Sequence, residues 1–274
     1  MKRVLFSIFL LLLSGTLIFS AGMKHDSLIN LRASYHLDSA PPLENAPPLM
    51  VFTTVVLGGF RGLISDLLWL RISNLQEQAK FFEIVQLSDW VTKLEPRCTD
   101  IWAFHGWNMA YNISIMMSDG PDRWRWLRNG VGILRDDGVR YNPGDARLYF
   151  ELGWFFHDRM GRTLDPFHKY FKKEWAKEIA LLFDGPRPDY DEVMKSPELK
   201  RKFEEEYELI PDLMVELEEK YGPLDWRMPD THALYWAYRG KKQRGESGQK
   251  FCDILIRQSL AAIRKNESES GKDE

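Results

Sequence analysis

Cysteine is scarce in this sequence, with only Cys98 and Cys252 among 274 residues. They form no Cys-x-x-Cys pair and no spacing typical of a metal site, so the sequence predicts neither a thiol redox motif nor a metal centre. The two thiols could pair in an oxidising compartment. Their wide separation in the chain does not tell whether they meet in space, so the pairing stays open at this point.

An excess of positive charge is also missing. The 37 Lys and Arg are balanced by 40 Asp and Glu, which leaves a net charge of −3. A field of that sign does not attract nucleic acid, and none is expected as a partner. The sequence contains no phosphate-binding glycine loop, no dinucleotide fingerprint, no HExxH and no G-x-S-x-G. We therefore predict no cofactor and no enzyme of these classes.

Long apolar runs are confined to the N-terminus. Met1-Lys2-Arg3 is followed by an apolar run over residues 4–19. We predict that residues 1–22 are an uncleaved membrane anchor, and a cleaved signal peptide is the alternative. The positive flank places the N-terminus in the cytoplasm, so the rest of the chain is expected outside it, on a single-pass protein of the cytoplasmic membrane. Cleavage would instead give a periplasmic or secreted protein.

Residues 23–48 read as a linker because two Ala-Pro-Pro-Leu copies favour extended polyproline II structure. An apolar run over residues 49–60 follows, and a helix in the domain or on the membrane surface suits it better than a second crossing. The helical domain is predicted over 49–265, with a charged helical insertion at about 184–228. Residues 266–274 are polar and predicted to be a disordered tail.

Apolar residues recur at helical spacing through the domain, as in Phe81, Ile84, Leu87, Val91 and Leu94. Proline or a turn cluster ends each such segment. No run is typical of a strand, so the predicted fold class is all-α. The predicted helices cover residues 66–78, 81–94, 99–115, 124–141, 146–159, 165–183, 198–221 and 251–263.

One helical segment occurs twice. Residues 96–107, PRCTDIWAFHGW, and residues 143–154, PGDARLYFELGW, share a proline, an apolar residue, an aromatic residue and a final Gly-Trp. A weaker third copy at residues 229–240 begins with Pro229 and has its glycine one place late. Repetition on this scale predicts a stacked array of helix pairs.

These residues resemble the tetratricopeptide repeat (TPR) family, in which an aromatic residue, Leu-Gly and a second aromatic residue mark the first helix of each pair. The offset of the two copies, 143 − 96 = 47 residues, is longer than the family's period of about 34. The resemblance implies a TPR-like right-handed α-solenoid of helix-turn-helix pairs, attached to an N-terminal membrane helix. The residues that define the repeat are Pro96, Trp102, Gly106, Pro143, Tyr149 and Gly153.

In TPR proteins the first helices line a concave groove that binds a partner segment. The resemblance therefore implies a protein or peptide partner and a scaffolding role in the cell envelope. We expect Trp107 and Trp154 to stack on each other there, because aromatic residues and Arg are favoured interface anchors. The groove candidates are Trp69, Asp100, Trp107, Arg147, Phe150, Trp154 and His157.

Two other functions remain open. Glu151 or Asp158, with Asp100, could serve as catalytic carboxylates in a helical-toroid enzyme acting on cell-wall glycan or peptide. The chain could also be a purely structural spacer. His157, Asp158 and His168 match no metal-ligand spacing, so no metal site is predicted.

Overall fold

The computed structural model describes residues 13–16, 20 and 61–270. The predicted anchor (1–22) lies mostly outside the described residues, as do the linker (23–48) and the apolar run at 49–60. None of the described helices is long and apolar enough to span a membrane. The described part of the domain is all-α, as predicted, and it contains no strand.

Eleven helices make up residues 61–270, and four of them contain a π-helical stretch that continues the α-helix without a break. They are α1 (Arg61–Glu77), α2 (Phe81–Leu94), α3 (Thr99–Trp107, Asn108–Ile113, Ser114–Met116), α4 (Gly120–Gly132, Ile133–Gly138, Val139–Tyr141), α5 (Ala146–Trp154, Phe155–Gly161), α6 (His168–Ile179), α7 (Tyr190–Lys195), α8 (Pro197–Arg201, Lys202–Glu206), α9 (Pro211–Tyr221), α10 (Pro229–Lys241) and α11 (Glu246–Ser270). The predicted bounds of α2 are confirmed, and most other predicted helices are found with ends shifted by a few residues.

The first helices pack in antiparallel pairs. α1 and α2 share a small apolar cluster that includes Ile72 and Ile84. In the next pair, α3 crosses α4 where a Cβ on Gly106 would lie 3.3 Å from the Gly130 carbonyl oxygen. The Gly106 carbonyl oxygen in turn lies 2.9 Å from the position of a Cβ on Gly130. The absence of side chains at both positions lets the two backbones approach closely.

The duplicated segments occupy equivalent local environments. The indole nitrogen of Trp102 donates to the Pro96 carbonyl oxygen at 2.8 Å, and the Tyr149 hydroxyl donates to the Pro143 carbonyl oxygen at 2.9 Å. Gly153, like Gly106, faces a backbone carbonyl of a partner helix, because its Cβ would lie 3.1 Å from the Ala233 oxygen. The proline therefore anchors the aromatic ring, and the glycine makes the close approach, in both copies.

α3 and α5 lie side by side and run parallel. Arg147 of α5 pairs with Asp100 of α3, and further along the Tyr111 hydroxyl donates to Asp158 at 3.0 Å. Both contacts join residues 47 apart in sequence. The sequence separation between the two copies is therefore also the separation between contacting residues of the two helices.

α10 is placed differently from the third copy suggested by its sequence. Gly153 approaches Ala233 while Gly161 approaches Asp230, so α10 runs antiparallel to α5. α10 is therefore the second helix of a pair that begins with α5. The sequence pattern instead predicts that α10 is the first helix of a new pair. α11 then packs along both α5 and α10, and runs parallel to α5.

Residues 162–228 separate α5 from α10 and contain α6 to α9. The charged helix predicted over 198–221 is two helices, α8 and α9, because the chain leaves helical geometry at Tyr207 and Pro211 begins a new helix. This segment also contributes to the core, since Phe203 and Met214 are fully buried. At the C-terminus, α11 continues to Ser270, so helix covers the first residues of the predicted tail.

Candidate binding surface

The contact between α3 and α5 places aromatic and acidic side chains together at the surface. The Trp107 indole nitrogen donates to Glu151 Oε2 at 2.6 Å, and Arg147 Nε lies 3.6 Å from Glu151 Oε1. The Trp107 ring stacks on Tyr111 at a centroid distance of 3.9 Å. Trp107 is 36% exposed, whereas Glu151 is only 8% exposed.

Burial is the dominant influence on the charges of this region. It raises the pKa of the Glu151 carboxyl above its usual value, against the opposing effects of Trp107 and Arg147. Burial and the neighbouring Asp158 carboxylate raise the pKa of the Tyr111 hydroxyl strongly. Tyr111 therefore remains a neutral hydrogen-bond donor. Ionisation of the buried Glu151 carboxyl, by contrast, lowers the free energy of unfolding.

A second group of rings covers the junction between α5 and α11. Phe150 lies 5.2 Å from Phe251 and 6.0 Å from Trp154, measured between ring centroids. Phe251 is 48% exposed, and Ile254, one turn further along α11, is 42% exposed. We call Phe150, Trp154, Phe251 and Ile254 the aromatic patch.

The predicted groove residues are brought together in part. Asp100 and Arg147 form an exposed ion pair, and Phe150 and Trp154 share the aromatic patch. The predicted stacking of Trp107 on Trp154 is wrong. Trp107 instead contacts Tyr111 and Phe155, because its indole turns toward Glu151 on the neighbouring helix.

The other two groove candidates lie elsewhere. Trp69 of α1 is half-buried and packs edge-on against Phe104 at 5.1 Å, as part of the small cluster that joins α1 to α3. His157 is 7% exposed, and its Nδ1 lies 3.0 Å from an Asp230 carboxylate oxygen at the start of α10. His157 lines a separate cleft at the end of α5.

The sequence interpretation missed Phe251 and Asp230. Both are brought to α5 by helices that follow the insertion, so no local spacing marks them. Asp230 carries one weak signal, since it follows Pro229 in the first turn of α10, where a carboxylate is favoured by the helix dipole. That position explains an acidic residue but does not identify His157 as its partner.

The described residues contain two cysteines and no metal site. Both Cys98 and Cys252 are free thiols. Burial raises the pKa of the Cys252 thiol to about 12, which makes it an unreactive packing group against α5. Across residues 61–270 no group of three His, Cys, Asp or Glu side chains is placed to hold a metal ion.

No protein-family model matches the sequence, and no curated protein or solved structure is significantly similar to it. Inferences about function therefore depend on the geometry of this chain itself.

Proposed function

We propose that this protein is a membrane-anchored, TPR-like scaffold that binds a segment of a partner protein on the surface formed by α3, α5 and α11. The single observation that carries the proposal is the aromatic patch. Phe251 and Ile254 are large apolar side chains, 48% and 42% exposed, beside the half-buried rings of Phe150 and Trp154. Partly exposed aromatic clusters rimmed by charges are typical of protein-binding surfaces.

The Asp100–Arg147 ion pair belongs to this surface because it bridges the first turns of α3 and α5. An exposed pair contributes little to stability, so its side chains can exchange partners at low cost. We propose that it orients a bound segment whose apolar side chains cover the aromatic patch. The parallel packing of α3 and α5 supports a TPR-like solenoid, in which such surfaces extend along successive first helices.

The membrane part of the proposal depends on residues 1–22 alone. A positive flank followed by an apolar run supports insertion in the cytoplasmic membrane, with the helical domain on the outer side. N-terminal sequencing of the mature chain tests whether this segment is retained as an anchor.

The binding surface is tested with a double variant, Trp154→Ala with Phe251→Ala, in the full-length protein. Leu181→Ala is the matched control, since Leu181 is a 66% exposed apolar residue just beyond the C-terminal end of α6. Partners are identified by mass spectrometry after in-cell crosslinking and purification from solubilised membranes. We expect a partner that the wild type and the control both retain and that the double variant loses. Equal recovery with all three proteins would contradict docking at the patch and favour a structural spacer.

One observation favours the enzyme alternative. Glu151 is buried and has a raised pKa, which are properties of a catalytic acid. If the chain cleaves cell-wall glycan or peptide, Glu151→Gln abolishes turnover and leaves the crosslinked partner unchanged. If it is a scaffold only, no turnover is measured with either protein.

A further inference from the structure

A cleft of about 470 Å³ opens where the end of α5 meets the start of α6 and the last turns of α11. The aromatic patch lies on other residues, so the cleft does not depend on the proposed docking function. Among the described side chains that line it, four are cationic and one, that of Asp230, is acidic. The cations are Arg162, Lys169, Lys172 and Lys265.

The basic side chains of the cleft differ in whether a neighbouring carboxylate neutralises their charge. Arg162 lies 3.2 Å from Asp158, so its charge is shared with that carboxylate. Lys169 and Lys172, one turn apart on α6, form no ion pair with any residue that the structure describes. The start of α6 adds the positive end of its helix dipole to the same cleft.

A buried histidine contributes a polar side chain to the lining of the cleft. His157 Nδ1 lies 3.0 Å from Asp230 Oδ1, and the Asp230 side chain is only 2% exposed. The carboxylate fixes the ring orientation and holds a proton on Nδ1. Among the residues that the structure describes, Nε2 makes no hydrogen bond. His157 lines the cleft, although its side chain is only 9% exposed.

The backbone at Gly161 lies close to Asp230 and leaves no room for a side chain there. A Cβ on Gly161 would lie 2.7 Å from Asp230 Oδ1, so any other residue at this position would displace the carboxylate. Asp230 cannot move aside easily because it is buried at the beginning of α10. The close approach of α5 to α10 at Gly161 therefore places the His157–Asp230 pair at the wall of a basic cleft.

We propose that this cleft binds a phosphate group, with Lys169 and Lys172 neutralising its charge and His157 Nε2 making a directed hydrogen bond. Hydrogen phosphate has both a hydroxyl and anionic oxygens. It can therefore donate to Nε2 of a neutral ring or accept from a protonated one. Lysine supplies point charges without demanding a planar ligand, which suits a tetrahedral anion.

The test is a titration of the full-length protein with inorganic phosphate at constant ionic strength, followed by NMR of the histidine ring nitrogens. We expect a saturable shift at His157. Lys172→Gln should weaken phosphate binding about tenfold, the loss for one charge-assisted hydrogen bond. Lys173→Gln is the matched control, because Lys173 is the next residue of α6 and does not line the cleft.

The fully buried rings of His105 and His232 report on the fold in the same spectra, so a variant that unfolds is recognised directly. No saturable shift at His157 in the folded wild type would overturn the proposal. An equal loss of phosphate affinity in Lys172→Gln and Lys173→Gln would also overturn the proposal, since that result would show only a general attraction of anions. Loss of crosslinked partner in the patch variant, with phosphate binding intact, would show that the two surfaces are separate.

Two sources of a phosphate group are distinguished by comparing glycerol 3-phosphate with soluble dihexanoyl-phosphatidate. Leu164, 72% exposed, lies on the lining of the cleft and could contact an acyl chain. Tighter binding of the phosphatidate than of glycerol 3-phosphate identifies a lipid headgroup. Equal affinity identifies a free phosphate compound, and absence of binding by both argues against the site.

Discussion

At the scale of single residues, the two copies of the repeated helix place a polar side chain opposite an apolar one at a buried position. His105 precedes Gly106, whereas Leu152 precedes Gly153, and both side chains are essentially inaccessible to solvent. His105 Nδ1 has no hydrogen-bond partner within the described part of the chain. Burial lowers the pKa of His105 to about 4, against a smaller opposing effect of Asp89. A neutral, unsatisfied imidazole therefore occupies a position that its twin fills with an aliphatic side chain.

His105→Leu should reduce the sensitivity of the fold to acid. The folded-state pKa of His105, about 4, lies below the unfolded value of 6.5, so its contribution to stability is present above pH 6.5 and is lost as pH falls toward 4. We expect the free energy of unfolding of the wild type to fall by about 2 kcal/mol between pH 7 and pH 5 because of this residue. The variant should not show this part of the decrease.

Urea unfolding at the two pH values measures this difference. His232, whose pKa burial also lowers to about 4, is unchanged in the variant and leaves a remaining acid sensitivity. Equal pH dependence of the two proteins would show that His105 is not held neutral in the fold.

At the scale of secondary structure, glycine determines how closely the helices pack. A Cβ at Gly106 would lie 2.9 Å from Leu134 Cγ, and one at Gly153 would lie 2.9 Å from Leu255 Cδ2. Both would also press on a backbone carbonyl of the partner helix. At Gly132 of α4, by contrast, the nearest atom to a Cβ is an aspartate oxygen at 3.4 Å.

Gly106→Ala and Gly153→Ala should each destabilise the protein by about 1–3 kcal/mol, because the added methyl group overpacks the helix crossing. Gly132→Ala is the control and should be neutral or stabilising by up to about 1 kcal/mol, since alanine favours helix more than glycine does. Free energies of unfolding from chemical denaturation provide the comparison. A stable Gly153→Ala protein together with a destabilised Gly106→Ala protein would indicate that the two crossings are not equivalent.

At the scale of the whole molecule, the residues that the structure describes include two clusters of buried apolar side chains. The smaller one joins α1, α2 and the start of α3, and includes Ile84. The larger one extends from α3 to α11 and includes Leu255, which is fully buried on α11. Contacts in stacked helices are mostly between neighbours, so the clusters can open with different free energies.

Truncation of a core side chain should therefore act locally. Ile84→Ala is expected to lower hydrogen-exchange protection in α1 and α2 by about 2–5 kcal/mol, and Leu255→Ala to do the same in α5, α10 and α11. Each variant serves as the control for the other. Uniform loss of protection along the chain in both variants would show a single cooperative unit instead.

Local sequence determined the helices and the twin segments. The apolar spacing of residues 81–94 and the stop at Pro96 set the bounds of α2, because helix formation depends on neighbours three and four residues away. The shared proline, aromatic and glycine of the two copies likewise predicted equivalent helices, and the structure shows equivalent hydrogen bonds at Trp102 and Tyr149. Those interactions lie within a few residues of one another, so their pattern is visible in the chain.

Tertiary structure alone decided which distant surfaces meet. The segment at 162–228, which includes the predicted insertion, lies between α5 and α10 in the chain, and α10 pairs with α5 and joins His157 to Asp230, 73 residues away. α11 brings Phe251 to Phe150, and Trp107 contacts Glu151, Tyr111 and Phe155 instead of Trp154. These contacts follow from how helices fill space against one another, and sequence spacing carries no information about partners separated by a folded insertion.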